Sequence, residues 1–312
     1  MKLRAYLLML IVEAIWGSTF VIVKGALADA TPAAFNLIRM TLAFLVMAVV
    51  YHRYWRGIRP WQIAAGALAG LCLAAGYQFQ TTGLVRTTPS KSAFITGLVV
   101  VMVPLLSSIP SLRPPGARSP RWNVFLGAAL ALAGILLLTT QAVAQSGSGL
   151  GAIASLLPDL ASINTGDLLT LACALAFAFH CLVLGRYSPR IAFQPWALLQ
   201  VGFCAVFMAL SMPLIEHPQI HWTSNLIVAL GISALLATAA AFSVLSWAQR
   251  VLPSTHIALL MTLEPVFACI TSFALTGERF ALRTASGALL ILAAIALAEL
   301  VPQPHLPSAH EA

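Results

Sequence analysis

Charged residues are scarce in this sequence. Only 8% of its 312 residues are Asp, Glu, Lys or Arg, whereas 60% are hydrophobic. Soluble domains contain about 25% charged residues, because a globule in water needs polar groups to cover its surface. A soluble globular domain is therefore excluded. The composition predicts an integral membrane protein, and apolar runs of spanning length make it all-α.

Motifs for catalysis or cofactor binding are also missing. The sequence contains no GxGxxG, no GKS/T loop, no HExxH and no GxSxG. Its five cysteines lie inside apolar runs without CxxC or metal-type spacing, which is typical of small core residues. We therefore expect no catalytic residues, no metal site and no cofactor. The net charge of +8 is explained better by the cytoplasmic loops of a membrane protein than by binding to nucleic acid.

Apolar runs of about 20 residues are what the sequence has instead, and each is long enough to cross a bilayer. Breaks rich in Pro, Gly or Arg separate them, as in YHRYWRGIRP and RPPGARSPR. The runs predict ten transmembrane helices near 3–24, 32–51, 62–84, 90–110, 121–140, 167–186, 194–214, 223–247, 255–276 and 284–301.

The distribution of Lys and Arg predicts the orientation of these helices. With the N-terminus inside, eleven Lys and Arg residues fall in inner segments and five in outer ones, while Arg39 lies within the second span. Basic residues concentrate on the cytoplasmic side of membrane proteins. We therefore expect a multi-pass protein of the bacterial cytoplasmic (inner) membrane, in contact with the lipid bilayer and with both termini in the cytoplasm.

The two halves of the chain resemble each other at a nearly constant offset. AIWGSTFVIVKG aligns with ALAFAFHCLVLGR at 160, Pro104 with Pro265 at 161, and GAALALAGILLL with GALLILAAIALA at 160. Five spans per copy would insert the second copy upside down, an arrangement typical of secondary transporters. The predicted division is a first five-helix repeat at 1–142, an outer linking loop at 143–165, a second repeat at 166–301 and a disordered tail at 302–312.

Several short motifs resemble those of one transporter family. WGSTF lies in span one, PAAFNLIR with its Pro–x6–Arg in span two, and AFITGLVVVMVPLL in span four. LEPVFACITSFALTGERF leads through span nine into GALLILAAIALA. Together they resemble the drug/metabolite transporter superfamily, specifically its EamA-type members. This resemblance implies ten helices in two inverted halves around a central cavity, and a carrier that usually exports amino acids or other small metabolites.

Polar residues inside the spans should face a cavity or another helix, because exposure to lipid is costly. At 100° per residue, Glu13, Phe20 and Lys24 fall on one stripe of the first helix, with Trp16 to one side. Phe20 aligns with His180 across the repeat. The predicted cavity residues are Glu13, Trp16, Phe20, Lys24, Arg39, Tyr77, Gln80, Thr96, His180, Ser243 and Glu264.

Structural roles are open for most of these residues. Arg39 could bind a substrate carboxylate or tie helices together. His180 could titrate or bond a substrate, or it could be a core residue bonded to a neighbouring helix. Thr96 and Ser243 could bond to their own helix backbone, and Glu264 could transfer protons or lock two helices.

The sequence therefore predicts a secondary active transporter that works by alternating access and exports amino acids or related small metabolites. Protons are a candidate coupling ion. Uptake or facilitated exchange of another small metabolite is the alternative. A membrane-embedded lipid-modifying enzyme is a remote one, because its clustered acidic ligands are missing: Asp29, Asp159 and Asp167 are isolated.

Overall fold

The computed structural model describes most of the chain. It places residues 2–55, 57–115, 120–142, 158–159, 163–249, 251–252, 257 and 260–300. The predicted tail at 302–312 and most of the predicted linking loop lie outside these residues.

Helices make up almost all of the described chain, as the composition predicts. Eight of them are long and apolar enough to cross a membrane, and two shorter apolar helices follow. In chain order they are α1 (Lys2–Ala26), α2 (Pro32–Val50), α3 (Pro60–Leu84), α4 (Pro89–Leu106), α5 (Trp122–Thr139), α6 (Thr165–Tyr187), α7 (Phe193–Ile215), α8 (Ser224–Ala248), α9 (Glu264–Thr276) and α10 (Leu282–Leu300).

Short elements connect these helices. One-turn 3-10 helices at His52–Tyr54 and Ser188–Arg190 follow α2 and α6. Between the halves, β1 (Gln141–Ala142) pairs antiparallel with β2 (Pro158–Asp159). Within the span predicted at 255–276, residues 257, 260 and 261 are helical, a turn follows at residues 262–263, and α9 begins at Glu264.

Contacts between the two halves repeat with a shift of five helices. The packing of α3 on α6 and α7 has its counterpart in the packing of α8 on α1 and α2. The packing of α1 on α9 has its counterpart in that of α6 on α4, and α5 packs on α10. Because each copy contains five spans, this pattern fits two inverted halves that pack against each other reciprocally.

Three helices are irregular in the middle of the molecule. α4 is divided into Pro89–Thr96 and Val99–Leu106, and α8 contains a π-helical segment at Ile232–Ala240. α9 begins with Glu264, and Pro265 stands in its first turn, where a missing backbone N–H costs nothing. Irregular backbone at membrane depth is tolerated where it is buried in protein or lines a cavity.

Candidate substrate cavity

A cavity of about 110 Å³ lies between the two halves. This volume is enough for several water molecules. Its lining residues come from α1, α2, α3 and α4 of the first half and from α6, α8 and the start of α9 of the second. A site between repeats is where secondary transporters of this architecture bind their substrates.

Most of the residues that the sequence nominated for a cavity line this one. They come from six helices and include both charged and aromatic side chains. These residues are Trp16, Phe20, Arg39, Tyr77, Gln80, Thr96, His180 and Glu264. Position on the wall is a geometric finding, and their role in transport stays a prediction.

Aromatic rings form much of the cavity wall. Trp16 and Phe242 lie with ring centroids 5.9 Å apart, and Tyr77 meets Phe177 edge-on at 5.3 Å. The Trp16 indole Nε1 donates to the carbonyl oxygen of Ala237, 2.8 Å away in the π-helical segment. Because that bond fixes the indole, the ring is held in place as an apolar surface.

Arg39 supplies a positive charge to the same wall. It is 3% exposed, and its guanidinium carbon lies 4.4 Å from the centre of the Tyr77 ring. Nε donates to Thr238 Oγ1 at 2.9 Å, and Nη2 donates to the Tyr77 hydroxyl at 3.3 Å. Among the described residues, one ion pair is present, between Lys91 and Asp167 at 3.9 Å. Arg39 has no carboxylate partner among them. Arg39 therefore ties three helices together and also leaves a cation on the cavity.

The π-helical segment orients the hydroxyl group of Thr238, which accepts a hydrogen bond from Arg39. Thr238 Oγ1 donates to the carbonyl oxygen of Ser233, five residues earlier, at 2.7 Å. This spacing is that of a π-helix, in which backbone hydrogen bonds join residues five apart. With its own proton used in that bond, the Thr238 oxygen is left as an acceptor for Arg39.

His180 lies on the cavity wall and is also bonded to a neighbouring helix. It lines the cavity, and its Nε2 lies 2.8 Å from Gln200 Oε1 on α7. Its ring meets Phe242 at a centroid distance of 6.3 Å. Elsewhere on the wall, Gln80 Nε2 donates to Thr96 Oγ1 at 3.4 Å.

Glu13 does not line the cavity, contrary to the prediction from its stripe. Its side chain is fully buried, and neither carboxyl oxygen has a hydrogen-bond partner in the described structure. One turn later Gly17 packs directly on α9, where an added Cβ would lie 2.6 Å from the Glu264 carbonyl oxygen. α9 therefore covers the face of α1 that carries Glu13. The carboxyl group that lines the cavity belongs to Glu264 instead.

Lys24 also lies away from the cavity lining. Its ammonium donates to the carbonyl oxygens of Leu84, Val85 and Thr87 at 2.6, 2.8 and 3.1 Å. The last carbonyls of a helix have no partner within it and carry partial negative charge. Lys24 therefore caps the end of α3, and the prediction of a continuous polar stripe on α1 is corrected here.

Ser243 is the third nominated residue that the structure places elsewhere. Its Oγ donates to the carbonyl oxygen of Ala239 at 2.6 Å and accepts from the Tyr51 hydroxyl at 2.8 Å. Bonding to the preceding turn was the structural alternative for this residue. It joins α8 to the end of α2.

Other cavity residues were not singled out in the sequence. Phe177 and Phe242 belong to the aromatic wall, and Gln249 lies at the end of α8. Phe177 had a usable signal, because it precedes His180 by three residues and therefore shares its helix face. Phe242 had none, because it follows the π-helical segment, which rotates the later residues of α8 relative to a regular helix.

A set of polar contacts lies at the end of α4 nearest Pro89. Glu278 Oε2 accepts from Ser90 Oγ at 2.6 Å and from Ser272 Oγ at 2.5 Å. Gly277, with φ of 68°, ends α9 in the left-handed conformation that glycine adopts most easily. Asp167 accepts from Thr87 Oγ1. These contacts join α4 to α9, and the residues just before α4 to α6.

Comparison with known proteins agrees with this architecture. The model of the EamA-like transporter family matches residues 3–140 and 164–300. The chain belongs to this family. It is therefore a multi-pass membrane transporter of the drug/metabolite transporter superfamily rather than an enzyme, and each half of the EamA-like transporter carries one copy of the family domain.

Two relatives of this EamA-like transporter can be compared over almost its full length. It is 29% identical over 301 residues to an uncharacterized transporter from Archaeoglobus fulgidus, covering 96% of this chain and 87% of that protein. A solved structure, described only as a crystal structure of a protein, has a TM-score of 0.63 at 18% identity. That comparison covers 96% of this chain and 98% of the other, and at this identity it shows the fold alone.

Proposed function

We propose that this transporter is a secondary carrier that exports amino acids or related small metabolites by alternating access. The observation that carries this proposal is Arg39, a buried cation on the wall of a cavity shared by both halves. Among the described residues no carboxylate pairs with it. Buried charges in proteins are normally paired, and an unpaired one inside a membrane marks a functional site.

A substrate carboxylate is the natural partner for this guanidinium. Guanidinium and carboxylate form charge-assisted hydrogen bonds that are among the strongest in proteins. The rings of Trp16, Phe177 and Phe242 would cover an apolar side chain, while His180 and Glu264 offer polar contacts. A small amphipathic molecule with a carboxylate, such as an amino acid, matches this combination.

Alternating access follows from the inverted halves. Rocking of one half against the other would open the cavity first to one side and then to the other. The interruptions in α4 and α8 lie beside the cavity, where local changes of backbone are least costly. Protons are the candidate coupling ion, because the carboxyl group of Glu264 lies on the cavity wall.

We place the transporter in the bacterial inner membrane with both termini in the cytoplasm. The support is the excess of Lys and Arg in the inner segments, eleven against five. Uptake or exchange of another metabolite would use the same cavity, and only a transport measurement separates these directions.

A tolerance screen tests the proposed function and its direction. Cells that overexpress the protein are exposed to toxic analogues of amino acids, and the intracellular level of each analogue is measured. An exporter raises tolerance to at least one analogue and lowers its level. Greater sensitivity to the analogues, with faster uptake into washed cells, would show that the protein is an importer. The Arg39→Gln variant at equal membrane expression is the matched control, and it should lose the effect.

A further inference from the structure

Glu13 is the least satisfied polar side chain of α1. It is fully buried, and both of its carboxyl oxygens lack a hydrogen-bond partner among the described residues. A charged carboxylate at such a position is costly on every membrane scale. The surroundings therefore accommodate the neutral acid far better than the ion.

A second carboxyl group belongs to the helix that packs on this part of α1. Glu264 begins α9 and lines the cavity, and its backbone contacts α1 at Gly17, one turn after Glu13. The helices meet tightly, because Gly17 lets α1 approach the backbone of α9, and Ser18 Oγ lies 3.1 Å from Thr271 Oγ1. One acid thus reaches the cavity while the other lies behind it.

Few other charged or titratable groups face this pair. Arg39 on α2, Tyr77 on α3 and His180 on α6 line the same cavity, and Cys173 on α6 lies near Glu264. α8, which also packs on α1, contains no titratable side chain. α4 contains only Lys91, which pairs with Asp167.

The inverted repeat contains only one copy of the pair. At an offset of 160, Glu13 corresponds to Cys173, and at an offset of 161, Glu264 corresponds to Val103. The contact of α1 with α9 is therefore acidic, whereas its counterpart between α6 and α4 is not. Any chemistry of the pair would break the symmetry of the two halves.

We propose that Glu13 and Glu264 form a coupled proton-binding site, in which Glu264 exchanges protons with cavity water and its charge controls the protonation of Glu13. This proposal rests on the proposed function and names the residues of its coupling ion. A proton from the bulk solvent passes through the cavity water to the Glu264 carboxylate, which becomes a carboxylic acid. The neutral Glu264 no longer repels a charge on Glu13, so the two sites titrate together.

A proton titration tests the site without any substrate. The purified protein is reconstituted in liposomes, and the infrared C=O band of protonated carboxylic acids is followed against pH. Wild type, Glu13→Gln, Glu264→Gln and the double variant are compared. In each single variant the midpoint of the remaining carboxyl should move by at least about one pH unit, because its charged neighbour has gone. If the titration midpoint of the remaining carboxyl is the same in each single variant as in wild type, the proposal is overturned.

Two controls keep this result interpretable. Asp29→Asn removes a carboxyl that accepts from Thr223 Oγ1 outside the cavity, and it should reproduce the wild-type titration of the pair. Gln matches Glu in shape, and thermal unfolding of each variant checks its fold. If Glu13→Gln does not fold, the titration of Glu13 in Glu264→Gln still decides the question, because an unshifted midpoint there overturns the coupling.

Export in the tolerance assay is a separate measurement. Coupled titration together with absent export would overturn the proposed function and leave the proton site standing. Uncoupled titration together with normal export would overturn the proton site alone. If both proposals hold, Glu13→Gln should also flatten the pH dependence of export.

Discussion

Single residues of the cavity wall hold the structure together and contact the cavity at the same time. Arg39 is the clearest case, since it bonds to Thr238 and Tyr77 and also presents a charge to the cavity. A substitution of Arg39 therefore mixes effects on folding with effects on transport. Smaller changes around it separate the two.

Tyr77→Phe makes such a small change. It deletes the hydroxyl that accepts from Arg39 Nη2 but keeps the ring under the guanidinium and against Phe177. We expect a loss of stability within about 0.5–1.5 kcal/mol, the usual net value of one hydrogen bond. Transport should fall more than stability explains, because the guanidinium loses its orientation. Melting temperature and initial transport rate per folded molecule measure the two effects.

Tyr51→Phe is the matched control for that variant. Tyr51 donates to Ser243, so this change also deletes one hydroxyl in a bond between helices, but neither residue lines the cavity. It should change stability by a similar amount and leave the transport rate per folded molecule unchanged. Equal losses of transport in both variants would contradict a special role for the contact of Arg39 with Tyr77.

Glu13, Lys24 and Ser243 were predicted to line the cavity and do not, which shows what a sequence pattern leaves undetermined about single residues. On the predicted stripe of α1, Phe20 lines the cavity, but α9 covers the same stripe at Glu13, and Lys24 reaches the end of α3. A helical wheel gives the direction of a side chain and not which neighbour covers it. Ser243 failed for a different reason, because the π-helical segment before it changes the direction of later residues.

At the scale of elements, close contacts between helices decide where the cavity ends. Gly17 allows α1 to rest on the backbone of α9, and this contact separates Glu13 from the cavity. On the far side of the molecule Gly134 and Gly287 bring α5 and α10 together in the same way. The ten helices and their offset were predictable from apolar runs and repeats, whereas the breaks in α4 and α8 were not, because they depend on packing between halves.

Gly17→Ala tests the contact of α1 with α9. The new methyl group would lie 2.6 Å from the Glu264 carbonyl oxygen and 2.7 Å from the Phe267 Cβ, so the helices must separate. We expect a destabilisation of about 1–3 kcal/mol, typical of an overpacked core, and a lower melting temperature. Gly25→Ala on the same helix is the control, since no atom lies within 4 Å of its added Cβ. If both variants melt like wild type, the contact is looser than described.

At the scale of the whole molecule, two five-helix halves must insert in opposite directions. Single cysteines are introduced into a cysteine-free variant, either within 141–166 or within 113–120. The first set should react with an impermeant thiol reagent in intact cells, and the second only after lysis, because our proposed orientation puts the basic inner segments in the cytoplasm. The reverse pattern would contradict the orientation and with it the direction of every helix.

The central claim is that this cavity binds and carries a carboxylate-bearing small molecule across the membrane. Counterflow into proteoliposomes tests it directly, with labelled amino acids compared with the corresponding amines that lack the carboxyl group. The account predicts counterflow of at least one amino acid and none of its amine. It also predicts at least a tenfold loss in Arg39→Gln, which corresponds to about 1.4 kcal/mol. Equal counterflow of amino acid and amine, or undiminished counterflow in folded Arg39→Gln, would contradict it.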